Sequence, residues 1–159
     1  MRTALAAAVL LVGLGHARTA QGLMLTNAFY WDLNDGTRAF GEAFAARNSG
    51  RMPTMNQAGS YAATLHWMKA IAAMDKEKAR DGAAVVARMK EMPTDDPLFG
   101  KGRIRADGRT IHGMYLWQVK SPSESKAPYD DLKLLDTIPG DEAFRPMSPG
   151  ACPLVGKSG

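Results

Sequence analysis

One cysteine, three histidines and no membrane-length apolar run leave this chain short of the groups that carry much protein chemistry. Cys152 cannot form an internal disulfide. It is either an unpaired thiol near a loose tail or half of a bridge whose partner lies on a segment this chain does not contain. His16, His66 and His112 are far apart in sequence. None has a second histidine, cysteine or carboxylate at metal-ligand spacing, so a metal centre is not expected. The glycine-rich phosphate loop ending in Lys-Ser/Thr is absent, and so is Gly-x-Ser-x-Gly. Cys152 stands between Ala151 and Pro153 with no histidine nearby, a poor setting for a nucleophile. The acidic pairs Asp95-Asp96 and Asp130-Asp131 are read as solvated loop charges, because adjacent side chains diverge. No enzyme activity and no cofactor are expected.

Charge is equally undirected. Twenty basic and 16 acidic residues give a net charge of +4, but they are scattered, with no block of one sign. A nucleic-acid partner is therefore not expected, since that needs Lys and Arg gathered on one face. With 45% hydrophobic residues over 159, the chain can bury a core and is not a disordered polymer.

The longest uncharged stretch, Ala4–Leu14, follows Met1-Arg2 and precedes Gly15-His16-Ala17. This has the layout of a secretory signal peptide over residues 1–17, and it is too short to span a bilayer as a helix. The other reading is a buried apolar helix running on towards Gly22. Residues 18–155 then form the folded part and 156–159 a tail.

Leu23–Thr26 reads as a strand. Asn34-Asp35-Gly36 is a turn, and Asn34 or Asp35 can cap a helix over Thr37–Arg47 with Phe40, Ala43 and Phe44 on one face. A longer amphipathic helix is expected over Gln57–Met74, with Tyr61, Leu65, Met68 and Ile71 as its core stripe and His66 at the surface or half-buried. A third helix follows over Asp81–Glu91, stopped by Pro93. The period then changes. Gly102–Arg105, Gly113–Val119 and Leu132–Ile138 read as strands, the second apolar on both faces and so covered on both. The order of one strand, three helices and three strands is α/β. Three short strands cover three helices poorly, so exposed apolar surface is expected.

Two groups suit a ligand. Phe29, Tyr30, Trp31 and Asp32 lie just past the end of the first strand, where α/β sheets collect ligands. Tyr30 can stack and hydrogen-bond, Trp31 can cover a planar or cationic group, and Asp32 can pair with an amine. Alternatively, Phe29 and Trp31 pack in the core and Asp32 caps the next turn. Asn56, Gln57, Ser60 and Tyr61 lie at the N-terminal turn of the longest helix, whose free N–H groups favour a carboxylate, and Gln57 and Tyr61 are the ligand candidates taken from it. The alternative is plain N-capping by Thr54 or Asn56, with Tyr61 in the core stripe.

A larger pattern joins these pieces: Ala20-Gln21-Gly22-Leu23, Phe29–Asp32, Pro53-Thr54 with Gln57-Ala58-Gly59, Met89–Pro93, Asp107-Gly108-Arg109, Lys120–Lys126 (KSPSESK) and Ile138–Pro146 (IPGDEAFRP). In this order the chain resembles the C-terminal part of a bacterial periplasmic substrate-binding protein of the leucine-binding, branched-chain amino acid type. The resemblance implies a partial type I periplasmic binding fold, with incomplete lobes and helices layered on a small mixed sheet. It implies a solute-binding component of an ABC importer, or a truncated fragment of one. The partners would be a small amino acid or aromatic carboxylate and a membrane permease, and the location the periplasm. The second reading is an interaction module whose exposed apolar surface pairs with a separately encoded first lobe or a second copy.

Overall fold

The computed structural model describes residues 17–147 and Val155. The apolar run at the start, Cys152 and the residues 156–159 lie outside the described residues. The chain divides into two compact units, Met1–Met52 with Met114–Ile138, and Pro53–Gly113 with Pro139–Gly159.

The first unit holds a short helix α1 (Ala17–Ala20), strand β1 (Met24–Asn27) and helix α2 (Asp35–Ala45). It also holds the late strands β5 (Met114–Val119) and β6 (Leu132–Ile138). These three strands form one antiparallel sheet in the order β1-β5-β6. Met24 faces Gln118 and Asn27 faces Tyr115, while a register shift between Leu116 and Trp117 marks a bulge against β6. The chain enters β1 through Gly22, whose φ of +81° suits glycine and whose N–H donates to Val119 O at 2.9 Å.

Alternation along β5 decides where the core lies. Trp117 and Val119 are buried and join Ala20 and Leu132, with Leu25, Tyr30, Leu33 and Tyr115 packed around them. Met114, Leu116 and Gln118, on the opposite face, are only half-buried. Cover on both faces was the sequence expectation; one face is closed and the other partly open.

Helix α2 starts where a reciprocal cap fixes it. Asn34 Oδ1 accepts from Thr37 N at 3.0 Å, and Thr37 Oγ1 accepts from Asn34 N at 2.9 Å. Thr37 is fully buried, so this cap is also part of the core.

The second unit contains α3 (Met55–Ala72), a 3-10 turn (Lys78–Arg80), α4 (Gly82–Glu91), strands β2 (Thr94–Asp96), β3 (Gly100–Ile104) and β4 (Thr110–Ile111), and the short helix α5 (Gly140–Ala143). Its sheet is an antiparallel meander in the order β2-β3-β4. The strands are thus split between two antiparallel sheets, where one small mixed sheet was expected. Asp95-Asp96, read as loop charges, belong to β2.

The expected core stripe of the long helix is displaced. Ala58, His66 and Ala70 are the buried residues of α3, whereas Tyr61 and Met68 are exposed, Met68 by 56%. The contact with α4 runs through His66. His66 is accepted inside because its Nε2 lies 2.9 Å from Met89 O on α4. Apolar type alone marked Tyr61 and Met68 as core, and packing buried Ala58, His66 and Ala70 instead.

Gly102 in β3 has a steric reason for its type. A Cβ there would run into the backbone oxygen of Ile111 and lie 2.7 Å from Thr94 Oγ1. Its φ is ordinary, so Gly102→Ala isolates crowding from backbone strain. The expected cost is about 1–3 kcal/mol, read as a lower urea midpoint, and an unchanged midpoint would show that β4 moves aside freely.

Candidate functional site

Past the end of β1 the chain runs inward and then outward. Ala28 and Phe29 are buried, Tyr30 and Trp31 are half-buried, and Asp32 is half-exposed. Phe29 packs edge-on against Phe40 of α2 at 6.0 Å between ring centres. Tyr30 links Trp31 (6.0 Å) to Trp117 (5.2 Å), and Trp117 in turn meets Tyr115 at 5.9 Å. Four rings thus form a row from the end of β1 across the central strand, each pair with tilted ring planes.

Tyr30 is also a polar hub. Its hydroxyl donates to Tyr129 O at 2.6 Å and accepts from Asp131 N at 2.9 Å and Leu132 N at 3.4 Å. Burial pushes this phenol up to about 12, against the opposing pull of the two backbone donors. Trp31 Nε1 donates to the same Tyr129 carbonyl at 2.9 Å. Two adjacent aromatic side chains therefore clamp one peptide of the loop between β5 and β6.

That loop is braced at both ends. Lys120 pairs with Asp130, and Asp130 Oδ2 also accepts from Lys126 N at 2.9 Å. Burial raises the Asp130 carboxyl, but Lys120 and the Lys126 amide outweigh it and hold it below the usual range. Asp131 goes the other way: burial first, then the charge of Asp130, push its carboxyl up. Lys133, then the Ser121 backbone N–H, hold the Glu124 carboxyl down at about 2. Tyr129, in the middle, has φ +66°, a left-handed conformation that costs a bulky residue about 1–2 kcal/mol.

Asp32 is not free. It accepts from Arg38 Nη1 at 2.9 Å, and Arg38 Nη2 reaches Asp35 at 2.6 Å. The cap of α2 is Asn34, so Asp32 does not serve that role.

Gln57 and Tyr61 belong to the second unit, so the six expected residues fall into two groups in different units. Gln57 Oε1 accepts from Thr54 N at 2.9 Å and from Thr54 Oγ1 at 2.6 Å, completing the cap of α3. Tyr61, one turn on, is 43% exposed.

Sequence reasoning named Phe29, Tyr30, Trp31 and Asp32 as candidates but not the residues that bond to them, Arg38, Tyr129 and Asp131. Arg38 falls within the predicted helix at a spacing that gave no warning of a bond back to Asp32. Tyr129 lies 99 residues from Tyr30, and no local pattern connects them. Among the described residues there is no cluster of His, Cys, Asp and Glu fit to hold a metal ion.

A profile described as periplasmic binding protein matches residues 3–126. No curated protein matches the chain. Among solved structures, a periplasmic binding protein from Burkholderia mallei is 40% identical with a TM-score of 0.75, over 81% of this chain and 33% of that one. A branched chain amino acid ABC transporter periplasmic ligand-binding protein from Burkholderia xenovorans LB400 is 38% identical with a TM-score of 0.75, over 82% of this chain and 34% of that one. The leucine-, isoleucine-, valine-, threonine- and alanine-binding protein from Brucella ovis, at 18% identity and a TM-score of 0.67 over 84% of this chain and 35% of that one, shares the fold. The chain spans about a third of the length of these structures. Its α/β arrangement is part of a type I periplasmic binding fold, and the chain belongs to the periplasmic binding protein family, a family of solute-binding proteins and not of enzymes.

Proposed function

We propose that this chain supplies solute contacts to the periplasmic binding component of an ABC importer. That component holds a small amino acid or aromatic carboxylate and passes it, chemically unchanged, to a membrane permease. The observation that carries the reading is the aromatic row after β1, with half-buried Tyr30 and Trp31 beside the Asp32–Arg38 pair. Apolar walls with a few convergent polar groups are what a small-solute site needs. Phe29 backs this wall from within the core. Asp32 answers an ammonium group, in competition with Arg38. Gln57 and Tyr61 form a separate contact group: the Gln57 amide nitrogen stays available for a carboxylate while its oxygen caps α3. The 38% identity to the Burkholderia xenovorans ligand-binding protein supports the solute class, and the family supports a periplasmic location. No described helix is long and apolar enough to cross a membrane.

Thermal unfolding of the full chain with a panel of branched-chain amino acids and aromatic carboxylates tests this. A solute at 100 times its Kd stabilises the folded state by about 2.7 kcal/mol, a rise of about 5–10 °C for a chain of this size. If no solute in the panel moves the midpoint, the chain holds no usable site alone.

A second reading has its own support. Met24, Leu134 and Leu135 are exposed in the first unit, and Trp67, Met68 and Val86 in the second. A chain with a third of its relatives' length can use such surface to pair with a first lobe or a second copy. A strictly monomeric, cooperatively folding species in light scattering argues against pairing with itself.

A further inference from the structure

We propose that Tyr129 is a solute-contacting residue, kept as tyrosine at a backbone position where glycine would be more stable. This deepens the reading given under Proposed function and rests on it. Three observations converge. The backbone of Tyr129 is left-handed, a conformation that a bulky side chain disfavours and glycine adopts freely. Part of its side chain is open to solution: the residue is 38% exposed, and the hydrogen bonds that Tyr129 makes to Tyr30 and Trp31 run through its main-chain carbonyl. Its carbonyl is gripped by Tyr30 and Trp31, two of the residues assigned to the solute wall.

The grip explains how the conformation persists. Two N–H and O–H donors on one carbonyl, with the Lys120–Asp130 pair and the Lys126 amide bracing the loop, over-determine the backbone. Strain of this kind survives where surrounding structure enforces it, and it concentrates at binding sites. The bonds from Tyr30 and Trp31 that hold the turn are made to the Tyr129 main chain, and glycine could accept them as well. The ring is the part the turn does not use. Anchored through its own peptide to Tyr30 and Trp31, it extends their aromatic wall with a third ring and a hydroxyl that can turn to a solute's polar group.

Tyr129→Gly separates the two roles. Freed of strain, the variant should melt about 2–4 °C higher than the parent chain. It should also lose most of the midpoint rise given by whichever panel solute stabilises the parent. Tyr129→Asn, which tolerates the left-handed region, should behave alike, and Tyr129→Phe should keep most of the solute effect. A Tyr129→Gly chain that melts higher and keeps the full solute-induced rise overturns the proposal and leaves the importer reading intact. A Tyr129→Gly chain that melts lower also overturns it, because the side chain would then be packing. If no solute stabilises the parent, both readings fall together.

Discussion

Trp117→Ala should cost about 3–5 kcal/mol and give the largest loss of stability among single substitutions in the first unit. Trp117 is 2% exposed, lies on the central strand of its sheet, and touches the rings of Tyr30 and Tyr115. Its indole N–H also reaches Asn27 O at 3.3 Å, close to the end of β1. Truncation therefore opens a cavity, removes two aromatic contacts and leaves a strand-end carbonyl without that donor. Against a typical total of about 5–15 kcal/mol, much of the chain's stability goes with it. Urea unfolding followed by far-UV circular dichroism measures the change. The control is Trp67→Ala on α3, where the side chain is 47% exposed and the expected change is within about 0.5 kcal/mol. Equal effects of the two substitutions would refute the assignment of the core to the Trp117 face of β5.

Tyr30→Phe should cost about 1–3 kcal/mol although it keeps the ring. The lost hydroxyl serves three backbone groups, Tyr129 O, Asp131 N and Leu132 N. Trp31 still reaches Tyr129 O, so the amide of Asp131 bears most of the loss. The substitution also has a pH signature. Folding raises the Tyr30 phenol from 10.0 to about 12, chiefly through burial. A raised folded value favours the protonated form, so this contribution is complete below pH 10 and is lost as pH climbs towards 12. The parent chain should therefore lose more stability between pH 10 and 12 than Tyr30→Phe does. Parallel alkaline profiles for the two would show that the hydroxyl is solvated and not a hub. Because the hub holds the Tyr129 peptide, Tyr30→Phe should also weaken any solute-induced rise in midpoint.

The elements that sequence located well are those fixed by neighbours in the chain. Leu132–Ile138 is a strand as expected, α4 is capped by Asp81 through a 2.9 Å bond to Ala83 N, and α2 starts at the Asn34 cap. The two helix starts depend on side chains within a few positions of the backbone groups they satisfy, and the strand on a run of apolar residues that pairs with the nearby β5. The strands Thr94–Asp96 and Thr110–Ile111 went unread because a pair of aspartates and a two-residue segment have no period to detect. They exist because Gly100–Ile104 lies between them and supplies their hydrogen bonds.

The candidate site divides the same way. Composition and order placed Phe29, Tyr30, Trp31 and Asp32 beyond a strand end, and Gln57 and Tyr61 at a helix start. The residues that answer them were invisible. Arg38 takes up Asp32, and the Tyr129 carbonyl takes up both Tyr30 and Trp31. Which apolar residues lie inside was equally undecided, because hydrophobic type does not distinguish Met68, which is exposed, from Ala70, which is buried on the same helix.

By itself the sequence determined an α/β chain with a periplasmic binding pattern, an aromatic group after its first strand and no metal-ligand or nucleophile motif. Those are properties of residue type and short spacing. Tertiary structure alone decided that the strands divide into two antiparallel sheets, that His66 is buried against Met89 O, and that a loop some hundred residues downstream is clamped by Tyr30 and Trp31. The physical reason is that long-range pairing is settled by shape and by the satisfaction of buried polar groups, and neither is written in the residues nearby.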